Sequence, residues 1–349
     1  MQKIALPVLA WESGVSMRVL VTGAGVAGLT AAHAFAERGC TVRIVEQGEA
    51  LGAASCSRFA GGMLAPWCER ESAEERVAEL GQEALAYWPK VHPATLRHGS
   101  LVVAPRRDER ELDRFDRRTA RHRLLDADGL AELEPDLAGR FGRALFFPDE
   151  AHLDPRAALP SLAGRLEAMG VPIRFGTEVT EPPSDIDLTV DCRGLAAGDL
   201  LPDLRGVKGE MLILRCPDVQ LSRPVRMLHP RFPLYIVPRR NGLFMVGATM
   251  IESAERARVT ARSVVELLNA AYTLHPAFGE AELVEIGADA RPAFPNNLPR
   301  VRREGGRLFL NGLYRHGFLL SPALARIAAE FVLEGKQVEG ITETSGGRT

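Results

Sequence analysis

Residues 18–22, Arg-Val-Leu-Val-Thr, run directly into Gly23-Ala24-Gly25-Val26-Ala27-Gly28, and a small-residue stretch continues to Arg38 before Gly39 closes it. An apolar run, a glycine turn and a helix-forming stretch in that order predict a buried parallel strand, a tight turn and a helix over 26–38. Each glycine answers a physical demand. Gly23 admits the tight turn, Gly25 lets the backbone approach a pyrophosphate, and Gly28 lets the helix pack closely on the strand. The helix start, at Val26 and Ala27, offers unpaired N–H groups and the positive end of a dipole to phosphates. A second strand is predicted at 41–45. It ends at Glu46 and Gln47, and Glu46 stands eighteen residues past Gly28, where an acid can accept hydrogen bonds from both ribose hydroxyls of an adenosine. A lone G-x-G-x-x-G is a weak signal, but between a strand and a helix, with an acid closing the next strand, it specifies dinucleotide binding.

The glycines alone do not separate a flavin from a nicotinamide. Residues 51–67 tip the balance: this long small-residue segment, with Ala54, Ser55, Gly61, Gly62 and Met63, suits backbone wrapped around a large cofactor rather than a helix or strand. A second glycine segment, Asn311-Gly312-Leu313-Tyr314-Arg315-His316-Gly317-Phe318, suggests that the chain end returns to the same cofactor.

Composition permits a large core and two lobes, since 46% of the 349 residues are hydrophobic and 25% charged. The 43 basic and 45 acidic side chains are interspersed for a net charge of −2, so neither nucleic acid nor a membrane surface is an expected partner. Alternating charges at 106–118 fit a solvated helix face. Five scattered cysteines (Cys40, Cys56, Cys68, Cys192, Cys216) with no Cys-x-x-Cys pair indicate neither a disulfide framework nor a zinc site, and a reducing compartment is expected. Residues 1–16 hold a brief apolar run interrupted by Pro7 and Glu12, too short for a signal peptide; a disordered leader or a start assigned too far upstream is expected. No stretch approaches the ~18 consecutive apolar residues that span a bilayer, which points to a cytoplasmic protein. Neither a His-Glu-x-x-His cluster nor a G-x-S-x-G elbow is present, so metal and serine hydrolase chemistry lack support.

With these motifs in place, the sequence resembles the D-amino-acid oxidase superfamily of FAD enzymes, and within it the glycine oxidases of thiamine biosynthesis, from Met17 to about Gly335. Four further stretches carry the likeness. His152-Leu153-Asp154-Pro155-Arg156 looks like the family's lead-in to a helix reaching about Met169, followed by a strand at 171–175 and then Glu178-Val179. The resemblance implies that Val179 meets the adenine side of FAD through its backbone. Residues 188–194 resemble the second strand-and-glycine segment against the cofactor, with Gly194 in place, but Arg193 departs from the usual alanine. Residues 233–239 and 246–250 are similar to a strand pair in which a tyrosine and a methionine line the substrate pocket. Pro233 stands where glycine oxidases can carry a polar residue. Finally, Ala290-Arg291-Pro292 and residues 312–322 look like the substrate-arginine strand and the loop over the flavin ring.

The resemblance implies an α/β, two-lobed fold. A Rossmann-like FAD-binding domain of the glutathione-reductase type is expected from 17–88, 145–205 and 286–340. An antiparallel-sheet substrate domain is expected from 89–144 and 206–285, with 341–349 a flexible tail. It also implies site roles. Arg291 is the first choice to hold a substrate carboxylate through two parallel charged hydrogen bonds, with Tyr235 adding a hydroxyl donor. Arg315 ranks second, and Met63 and Met250 form the apolar pocket wall. Gly312, Leu313, Arg315, His316, Gly317, Phe318 and Leu319 attend the flavin ring. The N–H groups of 317–319, expected to lead into a helix opening at Ser321-Pro322-Ala323, can stabilise charge on reduced flavin.

With no cysteine near Arg315 to tether it, FAD is expected to be non-covalent. The implied activity is oxidative deamination of glycine, or of small amines or D-amino acids. Hydride passes to flavin N5, the imine hydrolyses, and O2 is reduced to hydrogen peroxide; thiamine (thiazole) biosynthesis is the setting and a homo-oligomer the expected state. The residues leave open a sarcosine oxidase-like enzyme, a dye- or quinone-linked dehydrogenase, and a non-catalytic flavin-binding subunit.

Overall fold

The computed structural model describes residues 16–179, 181–229, 234–304 and 306–344. Pro233, the leader through residue 15 and the tail from 345 lie outside the described residues. The chain forms two compact units, one from residues 1–58, 159–205 and 292–349 and the other from 59–158 and 206–291. Residues 59–88, 145–158 and 286–291 therefore belong with the second unit, against the expected partition. The cause is pairing: Met63–Leu64 pairs with Ala151–His152, and Glu282–Ala293 is one continuous strand on Arg205–Arg215.

In the first unit a sheet runs in the order Thr342–Thr344, Arg300–Glu304, Arg307–Asn311, Leu188–Asp191, Arg18–Thr22, Thr41–Val45, Ile173–Arg174. Neighbours are parallel except for the hairpin Arg300–Glu304/Arg307–Asn311. Val19, Val21, Val190 and Leu308 are fully buried, as expected of a parallel sheet covered by helices. Thr41–Val45 lies on one side of Arg18–Thr22 and Leu188–Asp191 on the other, so a topological switch point opens at their C-terminal ends, where such sheets bind ligands. The first helix spans Val26–Ala36 and the last Gly317–Glu334, and the two pack together.

Three expectations change here. The strand at 171–175 shrinks to Ile173–Arg174, because Pro172 lacks a donor and Gly176 turns away at φ +60°. Thr342–Thr344, expected in a flexible tail, pairs in parallel with Arg300–Glu304. The 51–67 segment is more regular than predicted, with a short 3-10 turn Cys56–Phe59, the strand Met63–Leu64 and a helical turn Pro66–Glu69.

The second unit is built on a mixed sheet ordered Ile251–Glu252, Arg205–Arg215, Leu243–Gly247, Leu234–Pro238, Val225–Met227, Ser100–Val103, Arg143–Phe147, Arg123–Asp126, with Glu282–Ala293 also on Arg205–Arg215. Side chains alternate between faces. Leu212, Leu214, Ile236, Phe244 and Val246 meet Leu267, Ala271 and Leu274 of the helix Ala261–Leu274 in the main core. Met211, Ile213, Val237 and Met245 face the other way and pack with Phe59, Met63, Tyr235 and Leu243. The charged run resolves into a 3-10 turn at Arg106–Asp108 and the helix Glu109–Arg118, whose buried residues are Leu112 and Phe115. Among the described residues no helix is long and apolar enough to cross a membrane, and all five cysteines are free thiols.

Burial raises one acid of this unit far above the ordinary carboxylate range. Glu150 is fully buried; its Oε1 accepts the Cys68 N–H at 2.8 Å and its Oε2 accepts the Ser100 hydroxyl, with Arg226 and Glu69 nearby. Burial pushes its carboxyl from 4.5 to about 8. The folded state thus holds this proton more tightly than the unfolded chain, so stability is lost as pH rises from about 4.5 through about 8. Glu150→Gln should remove that loss: thermal melts at pH 5 and 9 should show the variant gaining on the parent at the alkaline end. An equal gap at both values would refute the assignment.

Candidate functional site

The glycine turn of the first unit has little room to vary. Gly23 sits at φ +97°, and a Cβ there would stand 2.7 Å from the Cys192 carbonyl oxygen. A Cβ on Gly28 would stand 1.8 Å from the Gly23 carbonyl oxygen, and one on Gly25 2.7 Å from Ser55 Oγ. Ser55 accepts the Ser57 N–H, and Ser57 in turn accepts the Val26 N–H at 3.1 Å, so this short segment lies on the start of the first helix. Ser57 was not legible in the sequence because nothing local marks a serine thirty-one residues downstream as a partner of Val26. Gly25 caps the helix without a side chain, which leaves first-turn N–H groups at Ala27 and Gly28 with no intrahelical acceptor.

Glu46 is buried at the end of its strand, its Oε2 accepting the Ala24 N–H at 2.7 Å and its Oε1 the Gly48 N–H at 2.8 Å. Each carboxylate oxygen has a second lone pair for a ribose hydroxyl. Ala54 lies beside Gly48, Gln47 is exposed, and Thr177 donates to the Glu46 carbonyl two residues before Val179. Arg193, the departure from the family pattern, is tied to Asp191 at 2.9 Å and to Asp199 at 3.0 Å, which leaves Gly194 free to adopt φ +60°.

The second glycine segment returns to this same unit. Asn311 donates its side-chain N–H to the Gly194 carbonyl and accepts the Gly312 N–H, both at 2.8 Å. Gly312 is left-handed at φ +77°, and a Cβ on it would stand 2.3 Å from the Phe294 ring. Phe294 is flanked by the guanidinium groups of Arg300 and Arg302 at 5.6 and 5.1 Å from its centroid. Both arginines are joined by Glu343 of the C-terminal strand, at 2.9 Å for Arg302. Leu313 is buried, Tyr314 is left-handed at φ 50°, and Arg315 stacks 5.9 Å from the Tyr314 ring centroid.

The last helix opens at Gly317, four residues before the expected start, with buried His316 as its cap residue and Pro322 accommodated inside. Gly317, Phe318 and Leu319 are therefore first-turn donors. A Cβ on Gly317 would be 3.4 Å from Val26 Cγ1, so the starts of the first and last helices converge. Two dipole ends, each worth roughly half a positive charge, meet there. Crowded glycines, converging helix N-termini and a buried acid at the strand end fit a dinucleotide such as FAD.

In the second unit the site residues gather on the methionine-bearing face of the sheet. Met211 and Tyr235 both stand opposite Gly247 in register, and the Met245 methyl lies over that glycine, 2.8 Å from where a Cβ would stand, beside the Tyr235 ring. Gly209, on the same face of its strand as Met211, lies under Arg291: a Cβ there would be 2.0 Å from the guanidinium. Arg291 is half-buried and donates to the Thr249 carbonyl at 3.2 Å. Gly61 presses on the Tyr235 ring, with its Cβ position 2.7 Å from Cε2, and Gly62 is left-handed at φ +73°. Met63 thus joins Tyr235. Met250 precedes the strand Ile251–Glu252 instead of lying on one, and it is 50% exposed. Met211, Met245 and Phe59 pack on this face with Met63 and Tyr235. Period-two alternation in residues 209–213 and 245–247 could have revealed the two methionines; nothing local marks Phe59.

The family model described as "FAD dependent oxidoreductase" (DAO) matches residues 18–331. Over 325 residues the chain is 57% identical to a Rhizobium etli protein provisionally named as the thiamine biosynthesis oxidoreductase ThiO, covering 93% of this chain and 99% of that one. It is 29% identical to the glycine oxidase of Pseudomonas aeruginosa, covering 91% of this chain and 95% of that one. Among solved structures, the glycine oxidase of Bacillus cereus superposes with a TM-score of 0.79 at 27% identity, over 92% of this chain and 96% of that one.

Proposed function

The chain belongs to the DAO family of FAD dependent oxidoreductases, and from that premise we propose that it oxidises the C–N bond of glycine or a similarly small amine acid for thiamine biosynthesis. The names of its relatives, ThiO and glycine oxidase, support the class of substrate. The observation that carries the reading is the second unit's polar and apolar face: the Arg291 guanidinium over Gly209, the Tyr235 hydroxyl, and the methionines Met63, Met211 and Met245 packed with Tyr235.

Arg291 binds the carboxylate through paired charged hydrogen bonds, each worth roughly 1.5 to 3 kcal/mol. Tyr235 donates a further one. Met63, Met211 and Met245 exclude water and leave room for little beyond an α-hydrogen or a short N-alkyl group. Bound non-covalently, FAD supplies the hydride acceptor. Gly23, Gly25, Val26, Ala27 and Gly28, with Glu46, would hold its adenylate half. The amides of 317–319 would hold the ring's anionic edge. The substrate loses a hydride and a proton, its imine takes up water to give glyoxylate and ammonia, and the electron pair passes to O2, giving hydrogen peroxide.

Glycine, sarcosine, N-ethylglycine, D-alanine and D-proline, assayed for peroxide in air and with a dye acceptor without it, test this reading. Glycine or its small N-alkyl derivatives should lead; turnover of none of the five would end it. Tyr235→Phe should lower kcat/KM for glycine by about 2- to 12-fold, the loss of one neutral hydrogen bond worth roughly 0.5 to 1.5 kcal/mol. Abolished turnover with unchanged substrate binding would give the hydroxyl a chemical role instead.

A further inference from the structure

Arg239 follows the strand Leu234–Pro238, four residues after Tyr235, and its side chain is 7% exposed. One guanidinium nitrogen donates to the Gly61 carbonyl at 2.6 Å and another to the Leu153 carbonyl at 3.1 Å, with Asp154 at 3.7 Å. Burial draws its pKa down to about 10, which leaves it cationic at neutral pH. A buried charge that spends its donors on two backbone carbonyls is expensive unless the geometry it fixes matters.

Those two carbonyls flank the two strands of the small ribbon formed by Met63–Leu64 and Ala151–His152, Gly61 before the first and Leu153 after the second, and the Leu153 N–H bond to the Gly62 carbonyl ties these flanks together. The same ribbon rests Gly61 on the Tyr235 ring and sends Met63 into the methionine wall. Arg239 thus grips, from the sheet that carries Tyr235, the segment that lies on the Tyr235 ring.

We propose that Arg239 is a positioning residue that sets the height of the Gly61–Met63 segment over Tyr235 and so limits the size of amine acid admitted. The inference rests on the small-amine-acid reading above. A planar fork can span two carbonyls at fixed separation; the single ammonium head of lysine cannot.

The test is Arg239→Lys, with two readouts: kcat/KM for glycine against N-ethylglycine, and the calorimetric Kd for acetate against butyrate, which needs no turnover. With FAD content unchanged, both preferences for the smaller compound should narrow at least 5-fold. Equal losses for large and small compounds, or no change, overturn the proposal. If Arg239→Lys fails to fold, Gly61→Ala serves, since its methyl must push the ribbon off the Tyr235 ring: an unmoved size preference there also overturns it. A parent protein that oxidises none of the small amine acids defeats the functional reading first, whereas an active parent with an unmoved ratio defeats only the role of Arg239.

Discussion

Gly28→Ala is expected to purify colourless or not at all. The added methyl would sit 1.8 Å from the Gly23 carbonyl oxygen, a backbone atom that cannot step aside without moving the glycine turn proposed to hold the pyrophosphate. Overpacking of this kind costs about 1 to 3 kcal/mol even where side chains can adjust, and here the strain falls on the cofactor cradle. The measurable result is an absorbance ratio at 450 and 280 nm that falls by at least tenfold and an FAD affinity weakened on the order of 100-fold. The same substitution at Gly164, inside the helix Pro155–Ala168 and with nothing within 4 Å of its Cβ position, should instead stabilise by roughly 0.5 to 1 kcal/mol. Normal flavin content in Gly28→Ala would show that the turn does not serve the cofactor.

Arg291→Ala should have the largest effect on turnover that leaves the flavin in place. Losing two charged hydrogen bonds to a carboxylate removes about 3 kcal/mol or more, which corresponds to a rise in glycine KM of roughly 100-fold or greater. Gly209→Ala offers a second route to the same result with the charge retained. Its methyl would occupy the place of the guanidinium, 2.0 Å from one terminal nitrogen, and should swing a flexible side chain away without disturbing the sheet. Both variants should keep their 450 nm absorbance while glycine KM rises. An unchanged KM in Arg291→Ala would remove that residue from the carboxylate site.

The legibility of this chain followed the range of the forces involved. The first strand, turn and helix were readable because Gly23, Gly25 and Gly28 satisfy steric demands set within a few residues of each other, and Thr41–Val45 came out at the predicted bounds because its alternation is local. Arg291 and Tyr235 entered through family likeness, and only the register through Gly247 and the bare backbone of Gly209 explain why those two side chains share a face. Ser57, Phe294 and Arg239 stayed invisible, since each acts on a partner far away in sequence. Met250 differs only in its expected place on a paired strand: the chain leaves its strand at Gly247 and resumes one at Ile251, with the methionine half exposed between them. The start of the last helix was misplaced because Pro322 reads as a first-turn proline, whereas the chain admits it in the helix interior.

The short C-terminal strand has a consequence for how the protein is made. Glu343 joins Arg300 and Arg302, these flank Phe294, and Phe294 supports Gly312, while Arg18–Thr22 finds one sheet neighbour only at Leu188–Asp191. A ribosome emitting about 5 to 20 residues per second therefore releases the glycine turn first and the residues that complete its sheet last. Arg18–Thr22 is thus made long before the strand Leu188–Asp191 that pairs with it, whereas the mixed sheet of the second unit has all its described strands by residue 293. Long-range pairing of this kind is slow to form, and loss of Thr342–Thr344 would be felt, through Glu343 and Phe294, at the left-handed turn of Gly312.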